Sequence, residues 1–158
     1  MDTEKAWLNS FCWKTVEEIN QSLCEQHKTG FQANGKTYDR ARQIWEGAVG
    51  QTLSLQDVLD LCRRCYEIGP FTFNNGNTFA AIAKSLVDDW TKTLPALEGQ
   101  IVLNTVGHYV AGMVSKKELR QVLRHFETSW NNYTAARQVV PITTPLNIPQ
   151  RQPQAQSS

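Results

Sequence analysis

The chain has 158 residues, 41% of them hydrophobic and 20% charged, a globular balance with length for one hydrophobic core and too little for two ordinary domains. Sixteen basic residues against fifteen acidic ones leave a net charge of +1, which excludes a broad field for nucleic acid or anionic lipid and leaves room only for a local patch. The longest uncharged run, 99–115, contains Gln100, Asn104, Thr105 and His108 and falls short of the ~20 apolar residues of a membrane span.

From Glu4 to about His27, the apolar positions Leu8, Phe11, Cys12, Val16, Ile19 and Leu23 recur at three- and four-residue steps, which predicts one helix with one buried face. The opening MDTEKAWLNSFCWK carries acids and no apolar h-region, unlike a secretory signal. The four cysteines are therefore expected as reduced thiols, and the chain as cytoplasmic. A second helix is predicted from a Thr37 cap through Tyr38, Ala41, Ile44, Trp45 and Ala48, with Gly50 just past its end.

Ser54-Leu55-Gln56-Asp57 has the form of a capping box and opens a third helix through Val58, Leu59, Cys62, Cys65 and Tyr66, stopped by Gly69-Pro70. A fourth follows from near Phe79, with Ile82, Ala83, Leu86, Val87 and Trp90 on one stripe. After Pro95 comes a helix apolar on most sides, carrying Ile101, Val102, Leu103, Val106, Tyr109 and Val110, and it is expected at the centre of the bundle. Ser115-Lys116-Lys117-Glu118 is a second capping box, and Leu119, Val122, Leu123, Phe126, Trp130 and Tyr133 carry the sixth helix to about Ala136. Nothing reads as a sheet. The expectation is all-α: one compact bundle of about six helices over residues 3–136, then a disordered Pro/Gln-rich tail, 137–158, in which Pro141, Pro145, Pro149 and Pro153 recur every fourth residue.

Several motifs invite chemistry and lack a part of it. Cys62-Arg63-Arg64-Cys65 spaces two thiols as a redox or zinc pair does, but lies about two turns inside a predicted helix on its apolar side, whereas reactive thiolates favour helix N-termini. Cys12 and Cys24 sit twelve residues apart on one predicted helix, about 18 Å at 1.5 Å rise per residue, too far for one four-cysteine zinc site. Residues 107–118 have the glycine and final glutamate of a calcium loop, but Gly107, Tyr109 and Ala111 stand where its carboxylates belong. His27, His108 and His125 show no metal-protease spacing. Of these, His108 sits on the central apolar helix, where a buried imidazole needs a hydrogen-bond partner and could line a site. No cofactor and no metal site are expected.

Two segments remain as site candidates. Lys116, Arg120 and Arg124, four apart, line one flank of the last helix, where phosphates or an acidic partner could meet them. The other is the stretch FTFNNGNTF, residues 71–79. Asn77 or Thr78 could cap the following helix, free backbone N–H groups there could accept an anion, and Phe71, Phe73, Asn74, Asn75 and Gly76 could frame a small ligand or a peptide.

With Ile68-Gly69-Pro70 before it, this stretch resembles the HPFx(D/E)GNGR motif of the Fic family of nucleotidyl-transferring enzymes. The resemblance covers about ten residues. It implies an all-helical fold, and in that family the His activates the target hydroxyl, the acid holds magnesium, and the glycines and Arg hold phosphates. Here Gly69 or Phe71 replaces the His, Asn75 stands at the acid, and Thr78-Phe79 replace Gly-Arg. The first expectation is therefore a non-enzymatic helical interaction or regulatory module, its partner another protein, with five Trp and six Phe as contact surface. An enzyme or nucleotide-binding domain built on Phe71–Thr78 with His108 is the alternative, with a small-molecule ligand. Nucleic-acid binding through the Lys116–Arg124 flank ranks third, and no membrane partner is expected.

Overall fold

A computed structural model describes residues 1 and 3–137. Its elements are α1 (Trp13–Gln26), α2 (Gly35–Ala48), α3 (Leu55–Ile68), α4 (Asn75–Thr91), α5 (Ala96–Val110), α6 (Lys116–His125) and α7 (127–137). The fold is all-α, and its β-type pairing among the described residues is two isolated antiparallel bridges, Lys5 with Leu53 and Ala33 with Phe71. The expected tail lies outside the described residues except for Arg137, which closes α7 and donates to Asp89 at 3.0 Å.

The serine half of both capping boxes forms: Ser54 Oγ accepts from the Asp57 N–H and Ser115 Oγ from the Glu118 N–H, each at 3.1 Å. Each satisfies an N–H that the first helical turn leaves without a partner. Gly69, at φ +69°, ends α3 in the left-handed conformation that glycine takes without a Cβ clash.

Several expected elements differ. The first helix starts at Trp13 rather than near Glu4, because Lys5 and Leu53 exchange backbone bonds at 3.1 and 2.9 Å and the Trp7 indole donates to the Leu53 carbonyl at 2.8 Å. Its buried line is Trp13, Val16, Asn20 and Cys24, while Cys12 is exposed. The last helix divides at Phe126, giving seven helices among the described residues rather than six. There the Phe126 N–H turns to Leu123 O at 3.1 Å, and α7 leaves in a direction that stacks Trp130 on Trp7 at 5.6 Å and sets it edge-on to Trp90 at 4.9 Å.

The centre of the bundle is α4, which packs on α1, α3 and α5. Helix α5, expected there, packs on α3, α4 and α6 and turns Leu97, Ile101, Asn104 and His108 to solvent, an i, i+4, i+7, i+11 line along one face. It still lies close to α4: a Cβ on Gly99 would fall 2.7 Å from the Thr91 carbonyl oxygen. No helix among the described residues is long and apolar enough to cross a membrane.

Candidate functional site

The 71–79 stretch is built into the joint between α1, α3 and α4. Its helix begins at Asn75, not near Phe79, and Asn74 precedes it at φ +62°, a left-handed conformation that asparagine tolerates better than most residues. Asn75 spends both ends of its amide on one residue, donating to Phe71 O at 2.7 Å and accepting from the Phe71 N–H at 3.0 Å. It pairs with that backbone as a neighbouring strand would.

Across the stretch, Thr72 N–H donates to Gln32 O at 2.9 Å and Asn34 N–H to Pro70 O at 2.7 Å. Asn34 Nδ2 and the Thr37 hydroxyl both donate to Gly69 O, at 3.1 and 2.8 Å. Asn34 therefore precedes α2 in the place expected of Thr37, whose hydroxyl is spent on the joint.

Helix α1 holds the other side through Asn20. This fully buried amide donates to Phe73 O at 2.8 Å and to Thr78 Oγ1 at 3.0 Å, and accepts a weak bond from the Cys24 thiol at 3.5 Å. The Thr78 hydroxyl passes its own proton to Asn74 O at 2.7 Å, so donors and acceptors pair in sequence, as buried polar groups require. Asn74 Nδ2 points to Cys24 Sγ and Thr29 Oγ1 at 3.5 and 3.4 Å, and Asn77 Nδ2 to Asn74 Oδ1 at 3.4 Å.

Phe71 is buried, stacked on Trp13 at 5.9 Å, and Phe79 lies in the core beside Trp45 at the same separation. Phe73 is exposed. Gly76 faces the Tyr66 ring, 3.6 Å from a built Cβ, and the Ala111 methyl. The outward groups of the stretch are therefore the Phe73 ring and the exposed side chains of Thr72 and Asn77.

Asn20 escaped the sequence analysis. Its signal was spacing: it lies four residues after Val16 and four before Cys24, on a line that hydrophobicity alone does not choose over Ile19 and Leu23.

His108 is exposed, not buried, and its side chain makes no hydrogen bond among the described residues. The Lys116–Arg124 flank divides. Lys116 donates to Asp60 Oδ2 at 3.0 Å, while the other carboxylate oxygen accepts from Tyr109 and from Gln56 Nε2 at 2.8 Å. Arg120 and Arg124 are exposed and join no ion pair among the described residues.

Burial would raise the Asp60 pKa, but the hydrogen bonds from Tyr109, Lys116 and Gln56 outweigh it and hold the carboxyl below its ordinary 3.8. Because the native value is the lower one, this stabilisation is complete above the unfolded pKa and drains away as pH falls through the native pKa. We expect the melting temperature of the native chain to fall more steeply below pH 4 than that of Asp60→Asn; parallel melting curves across pH 2–6 would contradict it.

Cys62 and Cys65 sit in the core. Burial pushes both thiols up, Cys65 to about 12 even with Arg64 beside it, which suppresses the thiolate needed for redox exchange or metal ligation. Among the described residues, no group of three or more His, Cys, Asp or Glu is placed to hold a metal ion.

Beside the solvent face of α5 runs an apolar groove of about 330 Å³, lined by Glu98, Ile101, Gln121, Val122, His125 and Phe126. Leu97 stands on the same face of α5 as Ile101, 75% and 44% exposed respectively. No motif in the sequence marks these residues as a site: Val122 and Phe126 fall on the apolar stripe of their helix, and a helix apolar on most sides, as α5 is, does not disclose which apolar residues it turns outward.

No protein-family model, no curated protein and no solved structure matches this chain. The Fic-like outline rests on its own ten residues.

Proposed function

We propose that this chain is a helical interaction module that seats an amphipathic helix of a partner protein in the groove between α5 and α6. The observation that carries this is an apolar groove with the exposed Ile101 on its wall and a second exposed aliphatic side chain, Leu97, one turn away on the same face of α5. Burying them on a partner removes apolar surface from water without disturbing the core beneath.

The geometry suits a helix. A groove between two packed helices accepts anchors at i, i+3, i+4 and i+7, and the Val122 and Phe126 side chains supply its floor. Glu98 and His125 stand among the lining residues as polar groups that orient the guest, with Glu98 favouring a basic residue on its polar side. The Asn-rich joint has a supporting part in this function: it fixes α1, α3 and α4, on which α5 packs.

Selection of displayed amphipathic peptides against the native chain tests the proposal. Binders should carry apolar residues at helical spacing and lose ten-fold or more in affinity on Leu97→Glu/Ile101→Glu, a loss of about 1.4 kcal/mol or more. Both positions are exposed, so circular dichroism and melting temperature should stay those of the native chain. Binders indifferent to the double substitution would overturn the groove as the docking surface.

A further inference from the structure

Helix α6 has a cavity on its other flank as well. About 320 Å³ in volume, it is lined by Met1, Gln56, Arg120, Leu123, Arg124 and Glu127. That is at the small end of ligand sites, on the order of ten water volumes.

Its charges are unevenly spent. Glu127 is engaged by the Met1 amino group at 3.5 Å. Asp60, which accepts from Gln56, already holds Lys116 and Tyr109. Arg120 and Arg124, one turn apart on α6, face the same cavity with no carboxylate partner among the described residues. Two like charges so placed repel each other, and an anion between them converts that repulsion into two charge-assisted forks.

The remaining walls define the rest of a ligand. Gln56 is fixed by its own Nε2, which donates to Asp60 Oδ1 at 2.8 Å, and its Oε1 takes no donor among the described residues. Leu123 and the Met1 side chain are apolar.

We propose that this cavity binds a small organic anion, a phosphate monoester or a carboxylate. Its charged group bridges Arg120 and Arg124, and its apolar body lies against Leu123. The planar guanidinium matches either anion with two parallel N–H bonds, which a lysine cannot do. The site is independent of the α5–α6 groove, which uses Gln121, Val122 and His125 on the opposite side of α6.

The test is thermal shift and titration calorimetry on the full chain at low ionic strength, with phenyl phosphate, benzoate and inorganic phosphate as probes up to 10 mM. A ligand of the native state raises the melting temperature. Phenyl phosphate or benzoate should do so and bind more tightly than inorganic phosphate; whichever gives the larger shift names the anion. Arg120→Gln/Arg124→Gln should abolish the shift while the unliganded melting temperature holds, since both side chains are exposed. Arg120→Lys/Arg124→Lys, which keeps the charge and loses the forks, should weaken binding about ten-fold, in line with a lost bidentate contact. Absence of a shift with all three probes, or equal binding by the Lys variant and the native chain, would overturn the site.

Discussion

Trp130→Ala should destabilise the chain by about 3–5 kcal/mol, the range for a buried tryptophan cut to alanine. For a chain of this length that lowers the melting temperature by roughly 10–20 °C. Trp130 is 1% exposed and joins three parts of the molecule: it stacks on Trp7, meets Trp90 edge-on, and lies 6.0 Å from Tyr133 on its own helix.

Those contacts hold the N-terminal segment, α4 and α7 together, and through α7 they set the bend at Phe126 that floors the groove. The Trp130 indole N–H has no hydrogen-bond partner among the described residues, so its contribution is packing and ring geometry. Trp130→Phe should therefore recover more than half of the loss. Chemical unfolding of the two variants beside the native chain measures both values, and a Phe variant as damaged as the Ala variant would contradict this account.

The second large effect is at Asn20. Asn20→Ala removes the donor to the Phe73 carbonyl and to the Thr78 hydroxyl and leaves a small void in the core. An unpaired buried acceptor costs about 1–3 kcal/mol and the lost volume adds to it, so a total of about 2–4 kcal/mol is expected. The damage should also be local. Amide exchange in 71–78 should accelerate beyond the global change, because that stretch loses its tie to α1 while Asn75 still clasps Phe71. Exchange that rises uniformly across all helices would place Asn20 in the general core and not at the joint.

The two sides of α6 differ in chemistry. The α5 side offers aliphatic surface, and the Arg120–Arg124 side offers charge and a cavity. α6 packs chiefly on α5, and its buried anchors are Leu119 and Leu123. A short helix so placed can present two surfaces because it is needed to cover little of the core itself.

Several features of this protein were fixed by local sequence. Ser54 and Ser115 each precede an acid by three residues, and their hydroxyls cap α3 and α6 as that spacing requires. Gly69 before Pro70 stops α3 because the left-handed turn needs no Cβ and the proline has no N–H to continue the helix. The apolar spacing makes α3 and α4 unambiguous, and with no alternating strand pattern the all-α class follows. The burial of Cys62 and Cys65 also follows from that spacing.

Tertiary structure decided what lies far apart in the chain. The Lys5–Leu53 bridge joins residues 48 apart, so the helical spacing of 4–12 gave way to backbone pairing that no local pattern encodes. Asn20 faces inward because the Phe73 carbonyl and Thr78, more than fifty residues on, need its amide; by hydrophobicity alone Ile19 and Leu23 would own that face. The bend at Phe126 has no glycine or proline to announce it and arises from where Trp130 finds Trp7 and Trp90. α5 is apolar on most sides, so only its neighbours determine that Val102 and Val106 face the core while Leu97 and Ile101 face solvent. The evenly spaced Lys116, Arg120 and Arg124 separate for the same reason: Asp60, on α3, claims the lysine and leaves the arginines to the cavity. Local patterns encode helix ends and faces, whereas sites form where distant segments satisfy, or fail to satisfy, one another's polar and apolar groups.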